Sequence, residues 1–272
     1  REHISIDKNW LFAFGHPFDT AKDFNTGTGY FSYLAKTTYG DGAAAADFDD
    51  RSWRKLDLPH DWAVEQGFSE KASYSHGFKN IGRAFPEASI GWYRKKISIP
   101  KEDLGRRIHI AFDGVFRNSI VWFNGHYLGI NPSGYLGFEY DVTDYINYGG
   151  ENTIAVRVDA MMEEGWFYEG AGIYRHVWLN KTNALHVPAD GTFVSTKITK
   201  NNAELTSKVS VINEGSKPQE FKIVQTVLDA NGKSIATATM DNLNLRPMET
   251  KEFETQLNVW NPLKESVYSK RI

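Results

Sequence analysis

The 272-residue chain contains no cysteine. Disulfides, thiolate nucleophiles and zinc–thiolate sites are therefore excluded. Zero cysteine suits the cytoplasm and a bacterial periplasm equally. No apolar run approaches the roughly 18 residues a membrane-crossing helix needs. Charge of one sign is also lacking: 31 Lys and Arg stand against 34 Asp and Glu, a net charge of -3. This leaves no electrostatic case for a nucleic-acid partner or an anionic membrane. Long amphipathic helical periodicity is missing too, which argues against a parallel α/β sheet. Nothing in the pattern calls for a cofactor. The chain opens at Arg1 rather than Met. The expectation is a periplasmic or secreted bacterial protein whose leader has been removed, with the cytoplasm as the alternative.

What is present is apolar and aromatic. Hydrophobic residues make up 41% and charged residues 24%, the composition of a soluble globular protein. With domains typically about 100–200 residues long, the length predicts two. The 8 Trp, 13 Tyr and 17 Phe suit either a large all-β core or a surface that stacks on sugars.

The stretch before Gly91 has little clean periodicity. Ala43 to Ala46 reads as one helical turn, and Asp47 to Trp53 as a short helix or turn. Leu56 to Trp62 reads as a short strand stopped by Pro59. From Trp92 the pattern is β. Tyr93, Lys95, Ile97 and Ile99 alternate with Arg94, Lys96 and Ser98 until Pro100. Ile108, Ile110 and Phe112 repeat the alternation. Ser119 to Phe123 precedes Asn124-Gly125, a strong hairpin signal. Phe138 to Val142 leads to a capped turn at Thr143 to Ile146, and Ile154 to Val158 and Ile173 to Leu179 alternate again. Strands about 8–12 residues apart with turns between them indicate a sandwich. Residues 1–182 are thus read as a jelly-roll-like β-sandwich.

Past Lys181 aromatics thin out and Thr, Lys, Asn and Val rise. Thr192 to Thr199, Ala203 to Val211, Phe221 to Leu228, Ser234 to Thr239 and Lys251 to Leu257 read as strands. Asn213-Glu214-Gly215 and Asp229-Ala230-Asn231-Gly232 supply turns. This rhythm predicts an immunoglobulin-like sandwich over 183–272, without the cysteine pair of antibody domains. The fold class is all-β throughout.

The segment from Glu163 to Arg175 concentrates the chemistry. Trp166, Phe167 and Tyr168 follow one another, flanked by Glu163, Glu164 and Glu169 and by Gly165, Gly170 and Gly172. Aromatic faces stack on sugar C–H surfaces, carboxylates accept from hydroxyls, and glycines admit close approach. A carbohydrate-facing loop on a rigid scaffold has this composition. So does a sandwich corner whose aromatics are core. Glu163, Glu164 and Glu169 invite a paired-acid reading, but clustered surface carboxylates are usually solvated. His60 and Asp61 lack a nucleophile and read as structural hydrogen-bonding residues. Asp113, Asn118 and Asn124 sit in turns, where bonding to the backbone explains them. Arg175 reads as pairing with a buried carboxylate or spanning the sheet. Asp141 and Asp144 read as turn or cap residues. They show no ordered oxygen-ligand spacing for Ca²⁺.

Seven segments in order resemble the N-terminal half of glycoside hydrolase family 2, the β-galactosidase, β-glucuronidase and β-mannosidase group. They are Leu58 to Trp62, Gly91 to Lys95, Phe112 to Val115, Val121 to Gly125, Gly137 to Thr143, Gly149 to Asn152 and Gly170 to Leu179. The resemblance implies a sugar-binding jelly roll followed by an immunoglobulin-like domain. The chemistry would then lie on a third domain, a (β/α)₈ barrel, which this sequence does not contain. Val259 to Pro262 resembles the last strand of the second domain. The resemblance also implies that Glu163 to Glu169 and Glu87 to Ile90 reach toward the sugar. Trp166 and Tyr168 would then be wall or stacking residues, with Glu164, Glu169 and Glu87 as acceptors. This chain has no Asn in the second segment, and Trp166 where some relatives carry an acid. The implied function is the non-catalytic N-terminal part of a retaining β-galactosidase-like enzyme. Its partners would be a β-galactoside or related glycan and its own catalytic barrel, with homo-oligomerisation open. The alternatives are a stand-alone, lectin-like carbohydrate-binding protein and a ligand-free scaffolding sandwich.

Overall fold

The computed structural model describes residues 1–26, 41–163, 165, 169–260 and 262. The chain is all-β and divides into two compact units, Arg1–Lys181 and Thr182–Ile272.

The first unit is a sandwich of two antiparallel sheets. One has six strands in the order β3 (Arg54–Leu56), β2 (Trp10–Phe14), β4 (Ile90–Ser98), β9 (Glu151–Asp159), β6 (Ser119–Phe123), β7 (His126–Asn131). The other has four, in the order β1 (Glu2–Ser5), β10 (Val177–Thr182), β5 (Arg107–Phe112), β8 (Phe138–Asp141). Alternation sends Trp10, Phe12, Tyr93, Val121, Phe123, Ile154, Val156 and Val158 to one side of the core. Ile108, Ile110, Phe112, Val177 and Leu179 come from the other sheet. Each such fully buried side chain contributes about 1.5–3 kcal/mol.

The outer face of the six-stranded sheet is covered as well. Ala43, Ala44 and Trp53 pack there on Ile90, Trp92, Ile120, Trp122 and Ala155, and the Trp92 and Trp122 rings stack at 5.5 Å. Arg94, on the nominally polar face of β4, is consequently fully buried. Its Nε donates to Asp50 Oδ2 at 2.8 Å and its Nη1 to the Ala45 carbonyl at 2.8 Å. Asp23 likewise ties the covering layer to the sheet. It accepts from Trp92 Nε1 and from Arg157 Nε, each at 2.8 Å.

Several boundaries differ from the sequence reading. The expected strand over Leu56 to Trp62 ends at Leu56, and Trp62–Glu65 is a 3₁₀ turn capped by Asp61. The strand expected from Ile173 begins at Val177. Before it, Gly172 exchanges both backbone bonds with Phe116, and the Ile173 carbonyl accepts from His60 N, so these groups serve connections rather than the sheet. The 3₁₀ turn at Thr143–Tyr145 has Val142 as its N-cap, while Asp141 Oδ1 accepts from Thr143 N at 2.9 Å. Asn124 and Gly125, at φ 50 and 81, form the expected hairpin turn.

In the second unit, β13 (Asn202–Asn213) pairs with β11 (Leu185–His186), β12 (Thr192–Ile198) and β16 (Glu249–Trp260). β14 (Gln219–Leu228) and β15 (Ser234–Leu245) form a separate two-stranded sheet. Val209, Val211, Leu245 and Phe253 are its buried core. β15 runs well past Thr239. Val259 and Trp260 close β16, the last strand of this unit among the described residues, as expected of that segment.

Candidate functional site

The antiparallel registers bring four connections of the first unit to one end of the sandwich. β4 starts and β9 ends there, with Ile90 opposite Asp159. β6 starts beside them, with Ile120 opposite Arg157. Among the described residues, the connections are 57–89, 113–118 and 160–163 with 165 and 169–176, and 15–26 leads away from β2.

Residues 169–173 are stitched into this end by backbone bonds. Glu169 N donates to Ser75 O at 2.7 Å, Trp62 N to Ala171 O at 2.8 Å and His60 N to Ile173 O at 2.8 Å. Asp61 Oδ1 accepts from Ala63 N and Ala171 N at 2.9 and 2.8 Å. It therefore caps its own turn and anchors the Gly-rich segment together. Gly172 is required where it stands: at φ +125 a Cβ would lie 2.4 Å from Tyr93 Oη.

His60 completes this structural network. Its Nδ1 lies 2.7 Å from Tyr93 Oη, and its Nε2 lies 2.8 Å from Arg54 Nη2 and 3.2 Å from Glu65 Oε1. Burial pushes the His60 pKa down, against the pull of Glu65, and burial also holds the Tyr93 hydroxyl well above its usual range. Trp62 is fully buried and donates from Nε1 to Ala88 O at 2.9 Å. Among the described residues, Arg175 meets no buried carboxylate. Its Nη1 reaches the Asp113 carbonyl at 3.4 Å, and Asp113 Oδ2 accepts from Trp178 Nε1 at 3.0 Å.

Of the residues expected to face a sugar, Glu164, Trp166 and Tyr168 lie outside the described residues. Glu169 is fully buried. Its Oε1 accepts from Gly165 N at 3.2 Å, so the carboxylate braces its own loop. Glu87 is exposed and bonded to Lys22 Nζ at 2.9 Å, with His16 Nε2 at 3.6 Å. Lys22 holds the Glu87 carboxyl below its usual range.

Ser75, His76 and Gly82, which carry much of this geometry, gave no sequence signal because they lie in an aperiodic connection. Ser75 Oγ donates to Gly165 O, and His76 Nδ1 lies 3.0 Å from Glu169 O. The same connection displays Val64, Phe68 and Phe78 on its outer side. Phe68 and Phe78, with Ser69 and Glu70, line a shallow groove of about 430 Å³, and Lys79 Nζ sits 3.9 Å over the Phe68 ring. Among the described residues, no three His, Asp or Glu side chains are grouped to hold a metal ion.

A β-sandwich with its connections gathered at one end is a rigid scaffold on which loops can carry binding residues. Residues 49–183 match the family model described as glycosyl hydrolases family 2, sugar binding domain. The chain belongs to glycoside hydrolase family 2. It is 42% identical over 201 residues to a β-galactosidase of Bacteroides ovatus, covering 72% of this chain and 23% of that protein. It is 35% identical to a putative β-glucuronidase of Formosa agariphila, covering 82% of this chain and 21% of that one. Among solved structures, a family 2 member from Bacteroides cellulosilyticus superposes with a TM-score of 0.78 at 29% identity. That match covers 97% of this chain and 32% of the other. The chain thus spans about a quarter of the length of these curated relatives.

Proposed function

We propose that this chain is the non-catalytic, sugar-facing N-terminal part of a β-galactosidase that removes terminal β-galactosides with retention. The observation that carries the reading is the gathering of residues 57–89, 113–118 and 169–176 at one end of a sandwich matched by the family's sugar-binding domain. The similarity to the Bacteroides ovatus β-galactosidase favours galactose, and similarity to a putative β-glucuronidase makes a glucuronide the competing substrate.

In this reading the reaction proceeds on polypeptide beyond this chain. Retaining hydrolysis uses two carboxyl groups about 5–5.5 Å apart, one protonating the leaving oxygen and one attacking the anomeric carbon. The present chain supplies a wall. Gly165 and Glu169 are held by Ser75 and His76, and Asp61 holds Ala171; Glu87 offers acceptor oxygens at the surface. The exposed Val64, Phe68 and Phe78 provide apolar area for the catalytic domain to cover.

The test is a comparison of the gene's full product with the 272-residue chain on chromogenic β-galactoside, β-glucuronide and β-mannoside. Galactoside turnover by the full product alone, with retained anomeric configuration, is expected. A glucuronide preference would replace the sugar. Turnover by the short chain, or its binding a glycan tighter than about 1 mM, would overturn the wall reading in favour of an independent enzyme or lectin.

A further inference from the structure

The second unit is a sandwich with unequal layers. One sheet sets β16 along one side of β13, with β11 and β12 along the other. Among the described residues, the second sheet holds β14 and β15 alone. The register places Thr192 opposite Val209 and Val194 opposite Ser207. Residues paired in this way share one face, and Val209 and Ser207 are buried on it. Val194 therefore belongs to the inner face of the sandwich, yet it is 52% exposed.

A groove of about 540 Å³ leaves it uncovered. On one side the groove is lined by alternate residues of β12 and β13, which are the inner face of their sheet. On the other it is lined by every residue of β14 from Phe221 to Thr226. Successive residues of a strand point to opposite faces. An unbroken run of them lines a groove only where the groove follows the backbone edge of the strand. β15 occupies the opposite edge of β14. Among the described residues, no strand pairs with the edge that faces the groove. An open edge beside uncovered apolar side chains has the outline of a place for one more strand.

Strand directions decide which polypeptide reaches it. β16 runs antiparallel to β13, and its last residue, Trp260, lies opposite Asn202. At the other end of β13, Asn213 Nδ2 donates to the Lys217 and Leu245 carbonyls at 2.9 and 3.2 Å. These bonds hold the start of β14 and the end of β15 at the Asn213 end. β14 therefore runs toward the Trp260 end, in the same sense as β16. A chain that leaves β16 and turns back passes antiparallel to β14, the commoner pairing.

We propose that this groove receives a β-strand from the polypeptide that follows residue 272 in the intact protein. The strand pairs antiparallel with the free edge of β14 and lays alternate apolar side chains over Val194 and Val209. Backbone bonds along the edge hold it, and the apolar side chains fix its register. Its arrival removes an exposed strand edge, a feature that otherwise templates aggregation. The second sandwich is thus closed by sequence outside this chain. The proposal rests on the reading that the chain is part of a longer protein, and not on which sugar that protein cleaves.

The test is hydrogen–deuterium exchange of the 272-residue chain beside the gene's full product. Peptides covering Gln219–Leu228 are expected to exchange at least about 100-fold more slowly in the full product. β13, paired on both edges in the short chain, should change less. Val194→Asp places a charge where the added strand would bury it, and should return β14 of the full product to the fast exchange of the short chain. Should that variant fail to fold, the two unsubstituted proteins still decide. Equal β14 exchange in both would overturn the proposal. So would β14 protection that survives Val194→Asp, which would seat the added polypeptide elsewhere. Protection in the short chain that rises with its concentration would give the groove to a second copy and overturn it too. Glycoside turnover separates the two readings: an inactive full product with a protected β14 sinks only the enzyme, and an active one with an unprotected β14 sinks only the added strand. A gene product ending at residue 272 would overturn both.

Discussion

The two units use the same period-two alternation and reach different densities. In the first, β4 is buried on both faces from Ile90 to Arg94, because residues 43–53 cover the outer side of its sheet. In the second, all of β12 is exposed, and β14 alternates exposed with half-buried positions. A groove of about 540 Å³ runs there between β12, β13 and β14, floored by Val209, Val211, Phe221 and Ile223. Burial is thus a property of what lies over a strand. Trp92 and Val224 both sit on regular antiparallel strands, yet one is fully buried and the other is half exposed.

The largest expected effect tests this contrast directly. Trp92→Ala removes a fully buried indole between Trp122 and the Asp23 carboxylate, and should cost about 3–5 kcal/mol. Phe253→Ala in the second unit should lie at or below the lower end of that range, about 3 kcal/mol. Its ring is slightly exposed, and it meets Phe221 edge-on at 5.7 Å. Urea unfolding followed by circular dichroism measures both, and the reverse order would break the comparison.

Glycine replacements sharpen it. Gly91→Ala drives a Cβ to 2.4 Å from Trp62 Cζ3 and 2.9 Å from Phe12 Cε2, an overpacking expected to cost about 1–3 kcal/mol. Gly232→Ala in the second unit meets nothing within 4 Å and keeps only the strain of φ +80, about 1–2 kcal/mol. The first should shift the melting temperature at least as far as the second.

The smallest effect is in pH. The folded pKa of His60 is lowered by burial from the ordinary 6.5. The unfolded chain therefore takes up the proton first. Stability from this group is complete above about pH 6.5 and declines as pH falls from there toward the folded value. Asp7 acts lower on the scale. Burial alone would raise its pKa, but the Val177 N–H, His176 and Ser5 together bring it below the ordinary 3.8. Its contribution is lost as pH falls below that ordinary value and through the folded one. A melting series from pH 8 to 5 should show the His60 decline, and His60→Gln should flatten it. An unchanged slope in that variant would remove His60 from the account.

The strands were legible in the sequence where alternation, turn residues and length agreed, as in Ile108 to Phe112 and around Asn124-Gly125. The site was legible in composition only. Glu169 sits amid aromatics and glycines, which suggested an exposed acceptor, and burial instead makes it a brace for Gly165. His60-Asp61 read as structural, and Asp61 does cap a turn and hold Ala171.

By itself the sequence determined the all-β class and the family, because alternation and turn chemistry are local and the family's segments keep their order. Tertiary structure alone decided that Arg94 is buried, that the strand before Trp178 begins at Val177, and that Ser75 meets Gly165. Those outcomes depend on which connection lies over which sheet end. Residues 90 positions apart come together there through strand register, which no local pattern encodes.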